Sequence, residues 1–134
     1  MDKITKTPQE WKQQLDAEQY RVTREAVTEP PFSGEYCDTA EEGQYLCVCC
    51  DHPLFGSQSK FHSGCGWPSF YGELDTADII QRPDTSHGMH RIELLCPRCE
   101  AHLGHIFNDG PPPTGQRYCI NSVSLKFVDD KSQS

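Results

Sequence analysis

Apolar positions along this chain change their period near residue 29. Before that point Trp11 and Leu15 lie four apart, as residues on one helix face do. Thr7-Pro8-Gln9-Glu10 reads as the start of this helix: Thr7 can accept from the N3 amide, Pro8 suits the first helical position, and Glu10 can reach back to the Thr7 amide. A second start falls at Asp16, with Leu15 and Tyr20 spaced as a hydrophobic staple, and this helix is expected to end before Pro30. From Glu29 onward the helical period disappears. Short runs separated by Gly, Pro, Asn and Asp take over, which is the punctuation of a β domain. The expected strands are Gly43 to Val48, a run around Ile79 to Gln81, His90 to Leu95, His102 to Phe107, and a long Arg117 to Val128. In the last, a period of two puts Cys119, Asn121, Val123, Leu125 and Phe127 on one inward face, and Arg117 shares it. The stiff loop Gly110-Pro111-Pro112-Pro113-Thr114-Gly115 just before it is suited to walling a pocket.

Length and charge narrow the class. At 134 residues the chain has room for one domain, read as a helical arm over 1–28, a β core over 29–128 and a frayed tail over 129–134. Mean hydropathy is −0.69, and no run approaches the roughly 20 apolar residues of a membrane span. Met1 to Leu15 holds no apolar core of a secretory signal, so a cytoplasmic protein is expected. Twelve Lys and Arg against 20 Asp and Glu leave a net charge of −8, the wrong sign for a phosphate-binding surface, so nucleic acid is not expected as a partner.

Cysteine is the compositional outlier, with eight residues, and without an export signal they point to metal or thiol chemistry. Cys47-Val48-Cys49-Cys50 and Cys96-Pro97-Arg98-Cys99 each carry the spacing that lets a tight turn aim two thiolates at one ion. Cys47, Cys50, Cys96 and Cys99 are therefore the expected ligands of one structural Zn²⁺, closed to water, with Cys49 as a possible substitute for Cys50. Four thiols remain: Cys37, Cys49, Cys65 and Cys119. Each can be a buried small hydrophobe. Cys119 can also be a nucleophile, because Arg117 and Asn121 on its strand face and the loop before it are surroundings that lower a thiol pKa. His102 and His105 are three apart and would face opposite ways in a regular strand. Both reach one site only if the backbone at Gly104 bulges. Cys65, between Gly64 and Gly66, sits where a mobile resolving thiol would sit, and Trp67 reads as one wall of an apolar cup.

These blocks together resemble the B-type methionine sulfoxide reductases. The resemblance runs from about Tyr20 through Phe127. It rests on Glu29-Pro30-Pro31-Phe32-Ser33-Gly34, the two CxxC pairs, Ser63 to Phe70, Ser86-His87-Gly88-Met89, Ala101 to Phe107, and Arg117-Tyr118-Cys119-Ile120-Asn121-Ser122. It implies a mainly β, tent-like fold of two antiparallel sheets with short N-terminal helices and a structural zinc far from the active site. It also implies reduction of methionine (R)-sulfoxide, free or in proteins, with thioredoxin as reductant; a monomer is the expected state. Carried over by position, Cys119 resembles the attacking cysteine and Cys65 the resolving one. His102, His105 and Asn121 resemble the polar side of the pocket. Trp67 resembles the residue that receives the substrate methyl group, with Phe107 and Arg117 beside it in substrate binding. Two other readings compete. One is a non-catalytic zinc-ribbon-like interaction module; the other is a thiol oxidoreductase in which one CxxC cycles as a disulfide.

Overall fold

A computed structural model describes residues 3–37 and 41–129. Helices α1 (Pro8–Gln14) and α2 (Ala17–Arg24) begin where the capping residues place them. Thr7 and Asp16 each close a capping box, with Glu10 and Gln19 reaching back to the cap amides. Helices this short have little stability in isolation, so docking holds them. Trp11, Leu15 and Val22 are buried, Gln14 Nε2 donates to the Cys49 carbonyl at 2.7 Å, and Arg24 Nη2 donates to the Cys99 carbonyl at 3.0 Å. The arm thus lies across both cysteine turns.

Among the described residues nine strands follow: β1 (Gly43–Cys47), β2 (Pro53–Gly56), β3 (Lys60–Phe61), β4 (Ser69–Phe70), β5 (Ile80–Asp84), β6 (Arg91–Leu95), β7 (His102–Phe107), β8 (Arg117–Ile120) and β9 (Leu125–Asp129). They form two antiparallel sheets, β2-β1-β9 and β3-β4-β8-β7-β6-β5. Aromatic side chains join them. Phe55 of β2 stacks on Phe70 of β4 at 4.3 Å between ring centroids, and Tyr45 of β1 meets Phe70 edge-on at 5.2 Å. Such pairs prefer these offset and edge geometries. The two- and four-residue strands β2, β3 and β4 escape sequence reading because they are too short to establish a period. Asp129, expected as the first residue of the tail, closes β9, and 130–134 lie outside the described residues. No helix among the described residues is long and apolar enough to cross a membrane.

The long strand expected over Arg117 to Val128 is two strands in different sheets. The break is at Asn121, whose Nδ2 donates to the Leu103 carbonyl at 3.1 Å and whose Oδ1 accepts from the Glu29 amide at 3.0 Å. A 3-10 turn at Ser122–Ser124 then carries the chain from β8 to β9, and Ser124 Oγ donates to the His102 carbonyl at 2.9 Å. The turn resets the face parity. Tyr118 and Ile120 point into the core while Arg117 and Cys119 point away from it, so Cys119 lies on the open face and not among Val123, Leu125 and Phe127.

Candidate active site and metal centre

The sulfur atoms of Cys47, Cys50, Cys96 and Cys99 all lie within 4.8 Å of one another, and the Cys47–Cys99 and Cys50–Cys96 pairs are 3.6 Å apart. A tetrahedral ion with Zn–S arms near 2.3 Å requires sulfur edges of about 3.8 Å, so the donor set fits. Both turns close the same way: the Asp51 amide donates to the Cys47 carbonyl and the Glu100 amide to the Cys96 carbonyl, each at 2.8 Å. Asp51 and Glu100 adopt φ near +63° and +62°. Cys50, and not Cys49, joins the four. The cluster lies between the end of β1 and the β6–β7 hairpin, so an ion held there would join the two sheets.

The second group of cysteines lies in the six-stranded sheet. Cys119 pairs across the ladder with Ser69 of β4 on one side and His105 of β7 on the other. The β7–β8 approach needs a glycine: a Cβ on Gly104 would meet the Cys119 carbonyl oxygen at 2.0 Å. β7 also carries the required irregularity, because the register with β6 slips between Leu94 and Leu95 and leaves Leu103 as an extra residue. This bulge brings the His102 and His105 rings edge to face at 5.6 Å.

Cys119 opens on a cavity of about 90 Å³ lined by Thr28, Trp67, Arg91, Gly104, His105, Phe107 and Asn121. Trp67 Nε1 donates to the Glu29 carbonyl at 2.9 Å, which fixes the indole in the wall. The Glu29 side chain is buried and accepts from the Val123 amide at 2.8 Å, while its second oxygen has no partner. Burial pushes the Glu29 carboxyl above its ordinary value, against the amides of Val123 and Ser122. The Pro111–Pro113 loop does not line this cavity; Thr114 hydrogen-bonds the Tyr71 carbonyl instead.

Of the two histidines, only His105 lines the cavity. Its Nε2 donates to Asp84 Oδ2 at 2.7 Å, and the Ser86 hydroxyl together with His105 holds Asp84 well below the usual carboxylate range. His102 lies behind it, buried, with Nδ1 donating to Glu93 Oε2 at 2.7 Å. Burial keeps the His102 imidazole below its ordinary value despite Glu93. Arg117 also stays outside the cavity. Its guanidinium pairs with Asp109 at 2.9 and 3.2 Å and lies 4.4 Å over the Phe107 ring.

Cys65 Sγ stands 3.7 Å from Cys119 Sγ. Gly66, at φ +98°, gives the loop its turn, and a Cβ there would meet Pro31 at 2.7 Å. Burial acts to raise the Cys65 thiol, but hydrogen bonds from Ser63 at 2.9 Å and from Ser69, with the Trp67 backbone and Cys119, bring it down to about 7. Cys119 departs from expectation. Burial, then the neighbouring Cys65, push it up to about 12, and Arg117 opposes this without reversing it. Of the two thiols, Cys65 is therefore the more readily ionised, and Cys119 is the one that burial and its neighbour hold protonated more strongly.

This arrangement has known relatives. The SelR domain profile matches residues 15–129. A peptide methionine sulfoxide reductase MsrB of Hahella chejuensis (strain KCTC 2396) is 61% identical over 127 residues, covering 95% of this chain and 91% of that protein. The MsrB of Pseudomonas syringae pv. syringae (strain B728a) is 60% identical over 128 residues, covering 96% and 98%. This chain belongs to the MsrB family. Its MsrB fold accounts for the two sheets, the helical arm and the grouped cysteines together. Sequence reasoning missed Asp84, Glu93, Ser63, Ser69 and the structural reach of Glu29. Glu93 left one signal, a carboxylate inside the apolar run Ile92 to Leu95; the others gain meaning only through partners distant in the chain.

Proposed function

We propose that this MsrB chain reduces methionine (R)-sulfoxide, free or in proteins, by thiol chemistry at Cys119 with Cys65 as the resolving thiol. The observation that carries this reading is the 3.7 Å contact between Cys65 and Cys119, one sulfur facing a cavity that holds both an indole and an imidazole. The step balances in atoms and protons. Cys119 as a thiol and the sulfoxide become a sulfenic acid and a thioether, so the proton leaving Cys119 ends on the transferred oxygen. His105, tethered by Asp84 and lining the cavity, relays that proton; His102, held neutral by burial, orients it.

Cys65, about half ionised near neutral pH, then attacks the Cys119 sulfur. A disulfide forms, water leaves with the sulfenic oxygen, and the sulfurs must close by about 1.7 Å to reach a bond length near 2.05 Å. Thioredoxin is the reductant that returns both thiols. Trp67 and Phe107 take the substrate methyl on one side and His105 the oxygen on the other, so only one epimer exposes its sulfur to Cys119. Asn121, committed to Leu103 and Glu29, holds the wall in place, and Arg117 supports Phe107.

Zn²⁺ is the ion assigned to the four-cysteine group, where it would supply cross-linking and no open coordination position. The same reading has the chain acting as a monomer of one domain in the cytoplasm. Incubation with the separate R and S epimers of a blocked methionine sulfoxide and dithiothreitol tests it. Turnover of the R epimer alone is expected, and equal turnover of both, or of neither, would overturn it.

A further inference from the structure

The cavity at Cys119 is too small for a whole substrate residue. An apolar cavity of about 150 Å³ accepts benzene, with six heavy atoms. By that scale about 90 Å³ holds roughly four, which are the sulfoxide sulfur, its oxygen, the methyl and one methylene. The rest of the residue, and any chain that bears it, must lie outside.

Next to the cavity runs a groove of about 720 Å³ that shares Thr28, Arg91 and His105 with it. Val27 and Met89 line this groove, each 43% exposed, two of the three exposed large apolar side chains among the described residues. Its charges oppose one another. Arg82 pairs with Glu93 at 3.1 Å and Arg91 with Asp84 at 3.3 Å, and the two imidazoles sit on the same two carboxylates. Two guanidiniums against two carboxylates leave no unopposed charge to receive a charged side chain, while Val27 and Met89 offer surface that gains from being covered.

We propose, resting on the reaction assigned above, that this groove seats the polypeptide flanking the oxidised methionine and that Val27 and Met89 select an apolar side chain next to it. The enzyme then repairs methionines set in apolar sequence faster than those set among charges. Such methionines come from protein interiors, and they meet this groove when the damaged protein is open.

Three blocked substrates of R configuration test this with dithiothreitol as reductant: methionine sulfoxide alone, the same residue between two leucines, and the same residue between two aspartates. Wild type is expected to favour the leucine peptide over the other two by about tenfold in kcat/KM, the effect of covering one partly exposed apolar side chain. Met89→Ser and Val27→Ser should each lower the leucine peptide towards the single-residue value and leave that value unchanged. Equal kcat/KM for the leucine and aspartate peptides would overturn the proposal, as would variants that lower all three substrates alike. Variants that slow only thioredoxin-driven turnover would assign the groove to the reductant and overturn it too. Failure of wild type on every substrate would instead sink the reaction on which it rests.

Discussion

Replacing Glu29 with alanine isolates the residue that ties the cavity wall to the turn between the sheets. Its main-chain carbonyl holds Trp67, its amide holds Asn121, and its buried carboxylate holds the Val123 amide at 2.8 Å. The alanine leaves that amide without a partner in a buried site, a loss of about 1–3 kcal/mol. At this chain length a midpoint value of about 2 kcal/mol lowers Tm by roughly 6–10 °C. Glu29→Gln keeps an acceptor for Val123 and removes an ionisable group that burial disfavours. The sign follows from linkage. Glu29 has its folded pKa raised, so the stability it contributes is full below its unfolded value near 4.3 and is lost as pH climbs through the folded value. The glutamine variant should therefore gain on wild type as pH rises from about 4.3 and hold that gain at neutral pH. Thermal melts from pH 4 to 8 read both effects. Activity supplies a second readout: with the wall released, the alanine variant should lose roughly ten- to a hundredfold in kcat/KM, since small misplacements near the reacting atoms cost this much, and glutamine should restore it. Equal destabilisation of the two variants, or a glutamine variant whose melting curve tracks wild type in parallel across this range, would refute the reasoning.

The thiols and the metal yield three further tests. Cys119→Ser should abolish turnover, whereas Cys65→Ser should release one methionine per enzyme and then stall with thioredoxin; continued cycling would shift the resolving role to another cysteine. Labelling of reduced protein with iodoacetamide should show Cys65 half reactive near pH 7 and losing about tenfold per unit below it, with Cys119 lagging far above. An earlier midpoint for Cys119 would contradict the opposite shifts of the two thiols. Cys96→Ser, or a strong chelator, should unfold the domain by circular dichroism. Binding at structural zinc sites contributes about 10–16 kcal/mol, as much as a domain's whole stability of about 5–15 kcal/mol. A cooperative, metal-free melt at wild-type temperature would contradict the clip role.

Local chemistry made much of this protein legible in one dimension. Thr7 with Glu10 starts one helix and Asp16, flanked by the Leu15 and Tyr20 staple, starts the next, because the partners lie within a turn, and each CxxC turn aims its sulfurs through a four-residue arc. β6 and β7 are legible as short runs set off by Gly, Pro, Asn and Asp on either side. The final strand reads as one run because alternation continues through Asn121 to Phe127, while the break there depends on Leu103 and Glu29, far off in sequence. The cysteine spacings were sufficient to nominate the metal ligands and the cysteine, histidine and tryptophan blocks to nominate the site. Tertiary structure decided which of those side chains meet. It set His105 in the cavity and His102 behind it, spent the charge of Arg117 on Asp109, and pushed the Cys119 thiol up while bringing the Cys65 thiol down. Charge, burial and proton position depend on distances between segments that only folding brings together, and no spacing along the chain encodes them.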